Sequence, residues 1–285
     1  MLKYRLIFGT LMTVFFVAVV IFDGWLDGSL TAATADDKAV QGTILCALVA
    51  MLGVPAQLEL AKLAAIKRLI IFTPVSIVAS ILFATSWYWP QVIDIRPDSY
   101  IFFVSAFTLT ALFLYQYFRY GTSGLLANCG VNYFAIVYLG LLGSFVPAIR
   151  IKFGLWAILM FIFVVKCADI GAYTIGSMFG KHKFSPKISP GKTWEGMAGA
   201  IIFATIVAIL FAAVFGIMKV WQAAIFGLCF AFIGQFGDLA ESMIKRDAAQ
   251  KDSADSVPGF GGVLDVIDSP LAAAPFAYLF FIIIR

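Results

Sequence analysis

Nine long apolar runs limit this chain to one environment, the interior of a lipid bilayer. They lie at residues 6–22, 40–58, 69–89, 100–118, 133–149, 153–178, 196–218, 221–244 and 270–284. A helix needs about 20 mostly apolar residues to cross the hydrocarbon core. With 62% hydrophobic and 13% charged residues, little sequence remains for a soluble domain. We therefore predict an all-α fold: one membrane domain over 1–285, a polytopic helix bundle with about nine transmembrane helices.

Basic residues are distributed unevenly between the segments that join these runs. If the N-terminus is cytoplasmic, thirteen of the twenty Lys and Arg residues lie on the inside and six on the outside. Because cytoplasmic loops carry an excess of such residues, we expect a cytoplasmic N-terminus. We interpret the acidic and basic residues at 23–38 and 94–98 as solvated loop charges. The net charge of +4 is too small to indicate a nucleic-acid partner.

Three polar side chains share one helical face within the sixth run. Lys166, Asp169 and Tyr173 follow i, i+3 and i+7 spacing, and Gly176 and Gly180 extend that face. A charge at bilayer depth is costly and needs a partner or a function. Two interpretations stay open: a Lys166–Asp169 pair that neutralises itself, or a polar cavity lined by Asp169 and Tyr173. The glycines would let another helix or a ligand approach closely.

A basic, turn-rich segment from Lys181 to Gly196 follows this helix. Thr193 could act as the N-cap of the next span, whose N-terminus would favour an anion, and Lys192 would add an ammonium group. An ordinary positive-inside loop is the alternative. The segment therefore contributes Lys192 and Thr193 as candidates for phosphate binding.

The stretch from Gly237 to Ser269 concentrates charge beside a Pro-Gly-Phe-Gly-Gly turn. Four polar residues share one helix face by i, i+3, i+4 and i+7 spacing, namely Asp238, Glu241, Ser242 and Lys245. Mg²⁺ is typically held by one or two carboxylates plus substrate phosphates. We therefore expect Mg²⁺ at Asp238, with Asp265 and Asp268 as the second source of ligands and Glu241 as a further candidate.

Basic residues and glycines in the same stretch suit a triphosphate. Lys245, Arg246 and Lys251 could neutralise it, Arg246 by forked hydrogen bonds. Gly261 and Gly262 would allow backbone amides to crowd around an anion. The alternative is a solvated loop with a flexible turn, which does not explain the aspartates at both membrane edges.

These residues resemble the signature of bacterial phosphatidate cytidylyltransferases, also called CDP-diacylglycerol synthases. The matching residues are Gly237-Asp238, Glu241-Ser242, Lys245-Arg246, Lys251-Asp252-Ser253, Pro258-Gly259, Gly261-Gly262, Asp265 and Asp268. Asp169 with Ala172-Tyr173, Phe179-Gly180 and the run Ile188 to Gly196 resemble two further blocks of the family. The resemblance covers about residues 169–268. Phe260 and Val266 depart from it, standing where the family has His and Arg.

The resemblance implies transfer of CMP from CTP to phosphatidate, which gives CDP-diacylglycerol and pyrophosphate. It assigns catalysis to Asp238, Asp265, Lys245 and Lys192. It assigns substrate binding to Asp169, Tyr173, Ser189, Thr193, Glu195, Ser242, Arg246, Lys251, Gly261 and Gly262. Mg²⁺ would be held by Asp238, Asp265, Glu241 and Asp268, and a second cation and a homodimer are left open. Asp265→Asn is then expected to abolish CTP turnover while the protein still folds.

Two other functions remain as alternatives at this point. A CTP-dependent kinase acting on a polyprenol or phytol would also need a lipid cleft, a metal and a triphosphate. A secondary transporter could use Lys166 and Asp169 as its coupling pair, although such proteins usually show repeated halves. The position of the label transferred from CTP separates cytidylyl transfer from the kinase reaction.

Overall fold

The computed structural model describes residues 2–31 and 40–285, with side chains from Ile7 onward. Its helices are α1 (Leu2–Leu26), α2 (Thr43–Ile66), α3 (Thr73–Ala84), α4 (Pro97–Tyr120), α5 (Leu125–Phe153), α6 (Leu155–Phe179), α7 (Trp194–Phe215), α8 (Val220–Asp247) and α9 (Val263–Ile284). Helix α5 includes a π-helical segment at Val137–Leu141. Over the described ranges β-pairing is confined to two isolated bridges, Lys183 with Thr193 and Val257 with Gly261. The all-α prediction is confirmed.

Eight of these helices are long and apolar enough to cross a membrane, and the chain is a multi-pass membrane protein. Helix α3 is the exception, because its 12 residues span about 18 Å of a hydrocarbon core about 30 Å thick. The apolar run at 69–89 begins with four residues outside any helix, and their backbone bonds to a side chain of α5. Phe72 N–H donates to Asn132 Oδ1 at 2.6 Å, and Asn132 Nδ2 donates to the Ile70 carbonyl at 2.8 Å. Neither a ninth crossing nor a cytoplasmic N-terminus is confirmed.

The chain forms two compact units. The first comprises Met1–Ile151 and Asp252–Val266, and the second comprises Lys152–Lys251 and Ile267–Arg285. Helices α1 to α5 and the loop before α9 therefore belong to the first unit. Helices α6 to α8 and most of α9 belong to the second.

A buried ion triad joins α1 to α5 in the first unit. Arg150 Nε lies 3.1 Å from Asp23 Oδ2, and Arg150 Nη2 lies 2.6 Å from Asp27 Oδ2. The backbone N–H of Ile44, in the first turn of α2, donates to Asp23 Oδ1 at 2.8 Å. All three charged side chains are at most 3% exposed. The interpretation of Asp23 and Asp27 as solvated loop charges is wrong, because Arg150 compensates their charge in the interior. Asp36, Asp37 and Lys38 lie outside the described residues.

Glycines allow α6 and α7 to pack closely in the second unit. A Cβ on Gly171 would lie 2.5 Å from the Gly199 carbonyl oxygen, and one on Gly176 would lie 3.4 Å from the Gly196 Cα. Small residues at such contacts are typical of membrane helices, where packing and not the hydrophobic effect drives association. Of the two partners considered for Gly176, a helix or a ligand, the structure provides the helix.

Candidate active site

Three carboxylates surround one hydroxyl group in the second unit. Ser269 Oγ donates a hydrogen bond to Asp238 Oδ1, and it lies 3.3 Å from both Asp169 Oδ2 and Asp268 Oδ1. Asp169 comes from α6, Asp238 from α8, and Asp268 and Ser269 from α9. We call Asp169, Asp238 and Asp268 the carboxylate cluster. The structure thus brings together three of the residues selected from the sequence.

A lysine and a glutamine bond to the carboxylate cluster. Lys192 Nζ donates to Asp238 Oδ2 at 3.2 Å and to the Gln235 carbonyl at 2.9 Å. Gln235 Nε2 donates to Asp169 Oδ1 at 3.1 Å. Thr193 is the N-cap of α7, as predicted, because its hydroxyl accepts a hydrogen bond from Gly196 N–H at 3.1 Å. This cap sets the start of α7 and leaves Lys192 in the loop just before it.

The charge balance of the cluster fits a bound cation. The Ser269 hydroxyl has one proton to donate and three carboxylates around it. Lys166, 3.6 Å from Asp169, and Lys192 offer two positive charges against three carboxylates. The Lys166–Asp169 pair is therefore present, although Asp169 also belongs to the cluster. Among the described residues no three acidic, histidine or cysteine side chains form a complete metal site. Water and substrate phosphate would have to supply the other ligands of Mg²⁺, as they usually do.

The remaining candidates lie on α8 or just after it, and three of them have protein partners of their own. Glu241 is fully buried and pairs with Lys245 at 2.5 Å, one turn further along the helix. Arg246 Nε donates to the Ile188 carbonyl at 3.1 Å, which ties the loop before α7 to the end of α8. Ser242 is half-buried and Lys251 is exposed. Roles for these residues in binding a metal or a triphosphate stay predictions.

Three further candidates, Tyr173, Ser189 and Glu195, lie on α6, in the loop before α7 and in the first turn of α7. Glu195 accepts hydrogen bonds from the backbone N–H groups of Lys181 and His182, and His182 Nδ1 lies 2.6 Å from Glu195 Oε1. Ser189 stands in a turn in which its carbonyl accepts from Lys192 N–H at 3.1 Å. Tyr173 is 59% exposed on α6. Among the described contacts, none joins these three residues to the carboxylate cluster.

The last glycine of the turn before α9 and Ser253 bond the Asp265 carboxylate. Asp265 Oδ2 accepts hydrogen bonds from Gly262 N–H at 2.7 Å, Ser253 N–H at 3.0 Å and Ser253 Oγ at 2.7 Å. Gly261 has a φ of 101°, which glycine adopts readily. The Gly261 N–H donates instead to the Val257 carbonyl at 3.1 Å, so a role of Gly261 and Gly262 in binding a phosphate stays a prediction. A metal role for Asp265 stays a prediction.

Phe260, one of the two residues that depart from the family signature, packs in the first unit. A Cβ added to Gly9 of α1 would lie 3.3 Å from the Phe260 ring, so the two residues are in close contact. The ring thus packs against a helix, a role that an apolar side chain can fill.

Sequence reasoning missed Gln235 and Ser269. Gln235 precedes Asp238 by three residues and therefore lies on the same helix face, which was an available signal. Ser269 directly follows Asp268, and no spacing rule singles it out. Its place in the cluster is evident only from its contact with Asp169, which is 100 residues away along the chain.

Comparison with known proteins supports a relationship along the whole sequence. The model of the "Cytidylyltransferase family" matches residues 3–284. A phosphatidate cytidylyltransferase of Haemophilus influenzae is 42% identical over 137 residues, covering 46% of this chain and 48% of that protein. One from Mycobacterium leprae is 34% identical over 157 residues, covering 55% and 50%, and one from Bacillus subtilis is 39% identical over 147 residues, covering 50% and 55%. The chain spans about half the length of the curated relatives it matches.

Proposed function

Because the chain belongs to the cytidylyltransferase family, we propose that it is a phosphatidate cytidylyltransferase. It transfers CMP from CTP to phosphatidate and releases pyrophosphate. The observation that carries the proposal is the carboxylate cluster with Lys192, a concentration of charge contributed by apolar helices. The names of the three relatives support the choice of substrates.

The reaction asks mainly for positioning and charge neutralisation. An oxygen of the phosphatidate phosphate attacks the α-phosphorus of CTP, and the bond from that phosphorus to the bridging oxygen of the β-phosphate breaks. The nucleophile is already an anion, so no strong base is needed. Lys192 neutralises charge on the phosphates, and Gln235 keeps Asp169 oriented through its 3.1 Å hydrogen bond.

The carboxylate cluster would hold Mg²⁺ through Asp238 and one neighbouring carboxylate, with water and substrate phosphate as the other ligands. When bound, the ion supplies positive charge that lowers the repulsion between the two phosphate groups. Ser269 fixes the Asp238 carboxylate by hydrogen bonding to its Oδ1, which leaves Oδ2 directed at Lys192. The geometry of Asp238 is thus set by two neighbours.

We further propose that the reaction takes place at the cytoplasmic face of the inner membrane. Two segments close to the cluster residues in sequence are basic. The loop before α7 contains Lys181, Lys183, Lys187 and Lys192. The end of α8 and the residues after it contain Lys245, Arg246 and Lys251. Loops of this composition are usually cytoplasmic, where CTP is present. The diacyl chains of phosphatidate would remain in the bilayer.

Transfer of label from CTP tests the proposed reaction. The purified protein in phosphatidate-containing mixed micelles with Mg²⁺ is given CTP labelled at either the α- or the γ-phosphate. We expect α-label in the lipid fraction and γ-label in pyrophosphate, because the bond broken lies between the α- and β-phosphates. Omission of phosphatidate is the control and should abolish both signals.

Two outcomes would contradict this proposal. Entry of γ-label into the lipid would identify a CTP-dependent lipid kinase. Absence of CTP turnover, together with solute uptake by liposomes that contain the protein, would indicate a transporter.

A further inference from the structure

Glu59 of α2 is a buried carboxylate outside every motif found in the sequence. It is 3% exposed and has four donor groups within hydrogen-bond distance, all from the loop before α9 or from the first turn of that helix. The donors are Ser253 Oγ at 3.0 Å, Ser256 Oγ at 3.0 Å, Val263 N–H at 3.0 Å and Leu264 N–H at 2.9 Å. A buried carboxylate is costly unless it is hydrogen-bonded, and these donors compensate its burial.

These contacts cap helix α9 from outside. The first N–H groups of a helix lack partners within it, and a Ser, Thr, Asp or Asn side chain at the N-cap usually provides one. The residue before Val263 is Gly262, which has no side chain. A Cβ there would overlap Ser253 Oγ and the Glu59 carboxylate. The Asp265 carboxylate accepts a hydrogen bond from Gly262 N–H, as the side chain at the third helical position does in a capping box. Glu59 therefore replaces the missing N-cap side chain.

Glu59 and Asp265 also share one hydroxyl group. Ser253 Oγ lies 3.0 Å from Glu59 Oε2 and 2.7 Å from Asp265 Oδ2. A carboxylate at a helix N-terminus is further stabilised by the helix dipole. The position of Asp265 and of the signature residues 252–262 thus depends on a residue from the part of the chain in which the sequence shows no motif.

We infer that Glu59 is a positioning residue for cytidylyl transfer, acting through the loop 252–262 and Asp265. This inference rests on the proposed function. Glu59→Gln is the informative variant, because it preserves side-chain volume but turns one carboxylate oxygen into an NH₂ group, which cannot accept the bonds from this loop. The matched control is Gln57→Met on the same helix, since Gln57 is fully buried and accepts a hydrogen bond from Ser80 of α3 instead.

Backbone hydrogen–deuterium exchange measures the positioning directly and needs no substrate. In Glu59→Gln we expect peptides covering residues 252–264 to exchange about tenfold faster or more, while peptides from α6 to α8 keep the parent rate. The control should leave exchange at 252–264 unchanged. Unchanged exchange in Glu59→Gln would overturn the inference, and so would an increase spread evenly over the chain, which would indicate general destabilisation.

The kinetic test compares kcat with the KM for CTP. Because small misplacements of reacting groups cost up to about a hundredfold in rate, we expect kcat of Glu59→Gln to fall about 10- to 100-fold, with a KM within about threefold of the parent. Faster loop exchange with an unchanged kcat would overturn the positioning role. If the parent protein itself transfers no CMP, the proposed function fails, and the exchange experiment still decides whether Glu59 holds the loop.

Discussion

Replacement of Asp238 by Asn is expected to lower CMP transfer by more than about a hundredfold while the protein remains folded. Asn has the same shape and keeps one oxygen for the Ser269 hydroxyl, but it lacks the negative charge that faces Lys192 and would bind Mg²⁺. Metal ions contribute several kcal/mol to such reactions, and each 1.36 kcal/mol corresponds to a factor of about ten. Initial rates with α-labelled CTP, measured over a range of Mg²⁺ concentrations, provide the test.

The dependence on Mg²⁺ distinguishes loss of a ligand from a general defect. We expect the residual activity of Asp238→Asn to require more Mg²⁺ than the parent protein. Asp98→Asn is the control, because Asp98 is an exposed carboxylate paired with Arg96 at the start of α4. It should retain the parent rate. Activity of Asp238→Asn within about threefold of the parent would show that the reaction does not use the charge of this residue.

The helices could be predicted because each apolar run must satisfy its backbone within itself. For the run at 69–89 this reasoning predicts a longer helix than the structure has. Its first four residues are not helical, and the Asn132 side chain bonds the backbone of Ile70 and Phe72 in place of a helical turn. Asn132 lies 60 residues further along the chain, so a window of local hydropathy cannot detect it. Helix α3 therefore begins later than the apolar run because of a contact with another helix, α5.

The candidate site was predictable in its residue types but not in its groupings. Helical spacing correctly placed Asp238 and Glu241 on one face, yet Glu241 pairs with Lys245 whereas Asp238 joins Asp169 and Asp268 through Ser269. Residue spacing indicates which side chains share a face of one helix. It does not indicate which other helix supplies the residues that contact this face. The glycine turn was likewise predicted to gather amides around an anion. In the structure one amide of the turn, that of Gly262, bonds the Asp265 carboxylate, which no local pattern in the sequence indicates.

Replacement of Arg150 by Met is expected to destabilise the first unit by about 3 to 5 kcal/mol. The substitution leaves Asp23 and Asp27 buried without their compensating charge, and breaking a buried ion pair from one side has a cost of this size. Thermal unfolding in detergent, followed by the fraction that remains monodisperse after heating, should show a midpoint lower by roughly 6 °C or more.

Two further variants separate charge from packing. Arg96→Met removes the exposed partner of Asp98 and should change stability by less than about 1 kcal/mol, because surface ion pairs contribute little. Combining Arg150→Met with Asp23→Asn and Asp27→Asn removes both uncompensated carboxylates and should restore part of the lost stability, since neutral replacement of a whole buried ion cluster is often tolerated. If the triple variant is no more stable than Arg150→Met alone, the guanidinium acts through its volume and the charge argument for the triad is wrong.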